Sequence, residues 1–284
     1  MQIVESILSL RGQIKTWRAT GETIAFVPTM GNLHDGHISL VKKAQTLADK
    51  VVVSIFVNPL QFDDKQDLAK YPRTLQADVK KLMQAGCNLL FTPDTEVIYP
   101  QGFDSHTFVH VPGMDDKLCG LERPGHFDGV ATVVTKLFNM VQADVAVFGE
   151  KDYQQLLLIQ KLVNDLNLPV KIVGAAIVRD DNGLAMSSRN QHLSEAQKQQ
   201  AAALYANLLE LKQRLESGAE DFSALLQQAH TNLSQAGFTL DYIDIRRADD
   251  LQIADLAVDK ELRLLAAGRL GSVRLIDNIA CNLA

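Results

Sequence analysis

Cysteine is scarce. Cys87, Cys119 and Cys281 are the only three, and they lie far apart, matching neither a disulfide framework nor the short spacings of a zinc site. Reduced, buried thiols are the expectation. No apolar run approaches the length of a membrane span, and the start Met1-Gln2-Ile3-Val4-Glu5 has no basic segment followed by an apolar core, so the chain is expected to be cytoplasmic. An excess of positive charge is also missing. The formal charge is −6, whereas binding a nucleic-acid backbone needs clustered lysine and arginine; a partner the size of a tRNA is not expected on that ground. There is no internal repeat and no low-complexity linker. With 284 residues there is room for about two domains and a sizeable core.

What is present is organised around Phe26-Val27-Pro28-Thr29-Met30-Gly31-Asn32-Leu33-His34-Asp35-Gly36-His37. Ile24 to Val27 reads as a buried strand. Ile38, Leu40, Val41, Ala44 and Leu47 then recur at helical spacing, which places both histidines where a strand turns into a helix. A helix beginning there aims unpaired N–H groups and the positive end of its dipole at the crevice, which favours a phosphate. Gly36 allows close backbone approach. His34 and His37, three apart, emerge on one face and can reach one anion; the ordinary structural reading makes one a helix cap and the other a solvated side chain.

In order along the chain, Ile3 to Trp17 reads as an amphipathic helix ending at Gly21. Val51 to Val57 is apolar on both faces, as a central parallel strand should be, and Asn58-Pro59 stops it. Strand, helix, strand is a βαβ unit. The loop that follows makes Asn58, Gln61 and Tyr71 candidates, since loops after strand C-termini line the crevice of such sheets. Leu89 to Thr92 and Thr107 to Val111 read as strands, Leu121 to Gly129 as a charged turn region, and Val130 to Val141 as a helix. The strand Asp144 to Phe148 runs into Gly149-Glu150-Lys151-Asp152-Tyr153-Gln154-Gln155, a second strand-to-helix corner. There Lys151 and Asp152 could equally be a surface charge and a cap. After a strand over Val170 to Ile177, Arg179 to Leu184 is a turn by composition, leading to Ala185-Met186-Ser187-Ser188-Arg189-Asn190. From Ser194 on, two helices (about 194–216 and 221–236) and strands over 240–245, 263–267 and 272–276 form a small α+β domain.

A histidine-any-glycine-histidine tetrapeptide after a strand resembles the nucleotidyltransferase superfamily that includes the class I aminoacyl-tRNA synthetases, which use it to bind ATP. Taken together with the Gln61 loop, Gly149 to Gln155 and Met186 to Arg189, in that order, it makes most of the chain resemble the pantothenate synthetase family, the pantoate–β-alanine ligases. The resemblance implies a Rossmann-type parallel-sheet domain over 1–176 that binds ATP and pantoate, with a smaller α+β domain over 177–284 covering the site. It implies pantoate and ATP forming pantoyl adenylate and pyrophosphate, then β-alanine displacing AMP, in a Mg²⁺-dependent homodimer. It puts Met30, Gly31, Asn32, Leu33, His34, Asp35, Gly36 and His37 on ATP, with His37 as proton donor and His34 beside it. Gly149, Glu150, Lys151 and Asp152 form the second nucleotide corner, with Lys151 on phosphate and Asp152 on a ribose hydroxyl; Val178 offers a backbone contact to adenine. Met186, Ser187, Ser188 and Arg189 stand where the synthetases carry a lysine-bearing loop, leaving Arg189 and Lys151 to neutralise phosphate. Gln61 and Gln155 match the pantoate contacts, and Gln61 also adjoins β-alanine. Mg²⁺ is expected mainly on ATP oxygens, with Asp63-Asp64 as an outer-sphere candidate or, more simply, a solvated loop.

Two other classes compete. A nucleotidyltransferase moving AMP onto a phosphorylated small molecule shares the first motif but would need extra basic residues for the acceptor phosphate, and the paired glutamines argue against it. A non-catalytic adenine-nucleotide-binding module would leave His37, Lys151 and Arg189 surplus. Pyrophosphate release that depends on a hydroxy acid separates the three.

Overall fold

The computed structural model describes residues 1–63, 65–218, 221–255 and 257–283, with Lys65 described by its backbone alone. Contacts divide it into two units, Met1–Glu150 with Leu158–Ala176 and Lys151–Leu157 with Ile177–Ala284.

The first unit is a parallel sheet of Rossmann type with helices between its strands. Its strands are β1 (Gln2–Val4), β2 (Ile24–Thr29), β3 (Lys50–Ile55), β4 (Leu89–Phe91), β5 (Val145–Gly149) and β6 (Lys171–Ala175), in the spatial order β1-β4-β3-β2-β5-β6. Every neighbouring pair is parallel. Strands in such a sheet are covered on both faces, and their side chains show it. Ala25, Val27, Val51, Val53 and Val147 pack with Leu33, Val41 and Ala44 on one face. Phe26, pointing the other way, meets Phe138 of the helix His126–Val141 edge-on, at 6.4 Å between ring centroids.

Two stretches of this unit depart from what the sequence predicts. Ile3 lies in a strand rather than a helix: Ser6 caps the helix Ile7–Ala19 by accepting from the Ser9 N–H at 3.2 Å. The four-residue step from Ile3 to Ile7 mimics helical spacing across a cap. The strand expected over Thr107 to Val111 does not form. That stretch is irregular, Phe108 is exposed, and the Val109 N–H donates to the Thr132 hydroxyl instead of to a neighbouring strand.

In the second unit, strands β7 (Phe238–Arg247), β8 (Glu261–Leu270) and β9 (Val273–Asn282) form an antiparallel sheet, as the α+β expectation requires. The helices Ala203–Glu216 and Phe222–Gln235 contribute Leu204, Leu208, Leu211 and Leu215 and Leu225 and Leu233 to one core with the alternate residues Leu262, Leu264 and Ala266 of β8. Lys151–Leu157 groups with this unit, tied to it by the Tyr153 hydroxyl donating to Ala248 O at 2.9 Å and by the Asn278 amide donating to Lys151 O at 2.9 Å.

Candidate functional site

Strand order reverses at β2: the chain proceeds from it toward β3 on one side and returns to β5 on the other. Ligands of open α/β sheets bind outside the carboxyl ends of the strands at such a switch point. The local sequence opens the sheet there. β2 pairs with β3 as far as Thr29, but with β5 only through Ala25 and Phe26. Pro28, which has no N–H to give a ladder, lies just beyond the last β5 pair.

Beyond β2 the turn is held tightly. Gly31 has φ 81° and Asn32 φ 50°, and a Cβ on Gly31 would sit 3.0 Å from Ile55 and 3.2 Å from Asp78. Left-handed backbone in that space calls for glycine. Asp78, 1% exposed, accepts from the Asn32 N–H at 2.9 Å, the Leu33 N–H at 2.8 Å and the Thr74 hydroxyl at 3.1 Å. Lys81 donates to the Leu33 carbonyl. Neither residue stood out in the sequence, where Asp78 looks like one more charge in the first turn of a helix.

The helix Asp35–Gln45 starts from His34 as its N-cap residue. The His34 N–H points at His37 Nδ1, 3.3 Å away, and the two rings lie 4.1 Å apart, tilted by 50°. With Nδ1 accepting, a neutral His37 carries its proton on Nε2, so it is poised as a donor. Met30, His34, Gly36 and His37 are half-buried, Gly31 and Leu33 buried, and Asp35 exposed.

Neighbouring strand ends supply two further groups. Gln61, 8% exposed, ends the short 3₁₀ turn Pro59–Gln61 after β3. Its main-chain oxygen accepts from Arg123 Nη2 at 3.2 Å and meets His126 Nδ1 at 2.7 Å. Leu121 to Gly129, a charged turn region by sequence, is therefore partly built into this region through Arg123 and His126. Arg123 also donates to Asp63 at 2.9 Å; burial alone would raise that carboxyl, but the guanidinium holds it below its ordinary value. Gly149 ends β5, with Glu150 following. So β3, β2 and β5, adjacent in the sheet, carry Gln61, Met30–His37 and Gly149–Glu150 at their carboxyl ends.

The second unit holds the remaining candidates. Lys151 and half-buried Gln155 lie in Lys151–Leu157, with Asp152 exposed between them. Val178 and Met186 are brought face to face by a small hairpin, the Met186 N–H donating to Val178 O at 2.9 Å. Ser187 caps the 3₁₀ turn Ser188–His192 by accepting from the Arg189 N–H at 3.3 Å. Arg179 fixes the hairpin: it binds Asp277 through two bonds of 2.6 and 2.9 Å, donates to Gly183 O, and stacks 3.6 Å above the Tyr205 ring. Asp277 lies 98 residues further along, beyond any sequence signal.

For a divalent cation the described residues offer one cluster, His110, Asp115 and Asp128. Its His110 Nδ1 already lies 2.8 Å from Asp128 Oδ1, within hydrogen-bond distance. Mg²⁺ prefers six oxygens, so these residues do not fit a Mg²⁺ cage. Asp63 is engaged by Arg123, and Asp64 lies outside the described residues.

Comparison with known proteins bears on the whole chain. The family model described as pantoate-beta-alanine ligase matches residues 2–280. The pantothenate synthetase of Pseudomonas paraeruginosa (strain DSM 24068 / PA7) is 56% identical over 283 residues, covering 100% of both chains. That of Shewanella halifaxensis (strain HAW-EB4) is 55% identical over 278 residues, 98% of each. Among solved structures, the pantothenate synthetase of Thermus thermophilus superposes with a TM-score of 0.91 at 42% identity, covering 98% of this chain and 99% of its own. The pantoate-beta-alanine ligase of Francisella tularensis, complexed with beta-gamma ATP and beta-alanine, gives a TM-score of 0.83 at 35% identity, with 98% and 97% covered.

Proposed function

Since the chain belongs to the pantoate-beta-alanine ligase family, we propose that it joins pantoate to β-alanine at the expense of ATP, by way of pantoyl adenylate, yielding pantothenate, AMP and pyrophosphate. The observation that carries this is the two-histidine helix start, seated where β2 parts from β5 at the switch point of the sheet. ATP and β-alanine, both named in the complex of the Francisella relative, are assigned to this chain on that likeness.

In the first step a pantoate carboxylate oxygen attacks the α-phosphorus, and the bond to pyrophosphate breaks. Charge grows on the non-bridging and departing oxygens. Donors already in place there lower the barrier because they bind the transition state more strongly than the ground state. We assign His37 Nε2 and His34 to those oxygens, with the Met30–His37 backbone and the helix N-terminus around them. Lys151 and Arg189 neutralise phosphate, Gly149, Glu150 and Asp152 hold the nucleotide, Val178 meets adenine, and Met186, Ser187 and Ser188 complete the pocket. Gln61 and Gln155 hold pantoate, and Gln61 adjoins β-alanine. In the second step the β-alanine amine attacks the acyl carbon, AMP leaves, and the amine loses a proton. Residues 1–176 thus carry most of the ATP and pantoate contacts, and 177–284 contribute Val178 and Met186–Arg189. Mg²⁺ accompanies ATP on phosphate oxygens with no protein ligand assigned. We further assign the enzyme to the cytoplasm as a homodimer, which sedimentation of the purified protein tests.

The deciding experiment is ATP–pyrophosphate exchange with a panel of carboxylic acids, followed by a single turnover without β-alanine. Pantoate alone should support exchange, and withholding β-alanine should give one burst of pyrophosphate with pantoyl adenylate retained. If pyrophosphate appears only once β-alanine is added, the two-step route is wrong.

A further inference from the structure

The Gln61 amide is held from behind by two buried side chains that the proposed chemistry leaves without a role. Asn58 is 1% exposed and Tyr99 2%. Asn58 Nδ2 lies 3.1 Å from the main-chain oxygen of Gly129 and 3.1 Å from Gln61 Oε1, and the Tyr99 hydroxyl lies 2.8 Å from Asn58 Oδ1.

The donors and acceptors in this chain allow one arrangement. A main-chain carbonyl only accepts, so the Asn58 atom facing Gly129 must be the nitrogen. The Asn58 oxygen therefore faces Tyr99, whose hydroxyl donates. Burial raises the pKa of that phenol, which keeps its proton in place. The same Asn58 nitrogen reaches Gln61, and the atom it meets there must be the oxygen. Gln61 is thus gripped by Oε1, and the end it offers a ligand is the amide nitrogen. The approach of Gly129 is itself built in: a Cβ at that position would sit 2.5 Å from Leu60 O and 2.8 Å from Gln61 N.

We propose that Tyr99 is a positioning residue for the acid substrate: its hydroxyl holds Asn58, whose sense the Gly129 carbonyl sets, in place against Gln61 Oε1, so that the Gln61 nitrogen stays turned to donate to an oxygen of that acid. This rests on the assignment of Gln61 to pantoate. An amide free to turn over would present its oxygen to a carboxylate part of the time, and two acceptors repel. Tyr99 itself touches no substrate in this scheme.

Tyr99→Phe keeps the ring, which packs against Phe56, Phe103 and His106, and deletes the donor. Initial rates should show KM for pantoate raised about fivefold to tenfold, the scale of one lost hydrogen bond, with KM for ATP unchanged within about twofold on the same scale. Because Tyr99 acts only through Gln61, adding Tyr99→Phe to Gln61→Leu should raise KM for pantoate no further. A general loosening of the fold would instead add its effect in both backgrounds and weaken ATP as well. Asn58→Ala cuts the same link from the other end and should reproduce the split, which keeps the test open if Tyr99→Phe does not fold. Additive effects, or an unchanged KM for pantoate in Tyr99→Phe while Gln61→Leu raises it, overturn the proposal and leave the role of Gln61 standing. If Gln61→Leu leaves pantoate use untouched, the assignment of Gln61 falls, and the proposal with it.

Discussion

Replacing Asp78 tests whether the turn proposed to bind ATP is held from a distance. Its carboxylate takes the Asn32 and Leu33 N–H groups at 2.9 and 2.8 Å and the Thr74 hydroxyl at 3.1 Å. A hydrogen bond to a charged group contributes about 1.5–3 kcal/mol, and a buried donor left unpaired costs a similar amount. With the Leu33 N–H buried and the Asn32 N–H partly so, Asp78→Ala should lose about 3–5 kcal/mol, a large part of the stability of an ordinary domain. Asp78→Asn keeps one acceptor oxygen but turns an NH₂ toward the second donor, so about half of that loss is expected. Urea unfolding reads the change as a lower midpoint at constant slope. Calorimetric titration with ATP reads its consequence: a turn no longer pinned at Gly31 to Leu33 should bind ATP at least about tenfold more weakly, or roughly 1.4 kcal/mol. If Asp78→Ala unfolds at the wild-type midpoint and binds ATP as the wild type does, the carboxylate is not the anchor.

Three further outcomes are expected. His37→Ala should fold normally and lose about 10²–10³ in kcat for pyrophosphate release, the usual effect of removing a donor at a developing oxyanion; normal turnover would refute its role. Arg179→Lys keeps the charge beside Asp277 but loses the two-pronged geometry and the stacking on Tyr205, and should lower stability by about 2 kcal/mol in a urea melt; an unshifted midpoint would show that the fork and the stacking contribute nothing. His110, hydrogen-bonded to Asp128, should titrate above its ordinary value, and Asp128→Asn should bring it down, as followed by NMR of the imidazole protons. A raised histidine stabilises the fold fully below its unfolded pKa of about 6.5, and that contribution disappears as pH rises through the folded pKa. An unchanged titration in Asp128→Asn would show that the pair does not form.

The sequence by itself determined the elements whose signals are local. Val51 to Ile55 is apolar at nearly every position because a central parallel strand is buried on both faces, and the helix after His34 repeats its apolar residues every three or four positions. The fold class follows from alternating such elements, and so does the placing of Met30 to His37 at a strand-to-helix turn. Short elements and ambiguous spacings misled: β1 has three residues, and an isoleucine four positions before a real helix reads as part of it. Thr107 to Val111 has the composition of a strand but finds no ladder, because strand formation needs a partner that composition does not reveal. Tertiary structure alone decided which strands adjoin β2, and hence that Gln61 and Gly149 flank the histidine turn. It also chose the supports: Asp78 reaches Leu33 across 45 residues, Tyr99 reaches Asn58 across 41, and Asp277 reaches Arg179 across 98. A hydrogen bond depends on position within a few tenths of an ångström, and positions so far apart along the chain are set only when the whole sheet has closed around them.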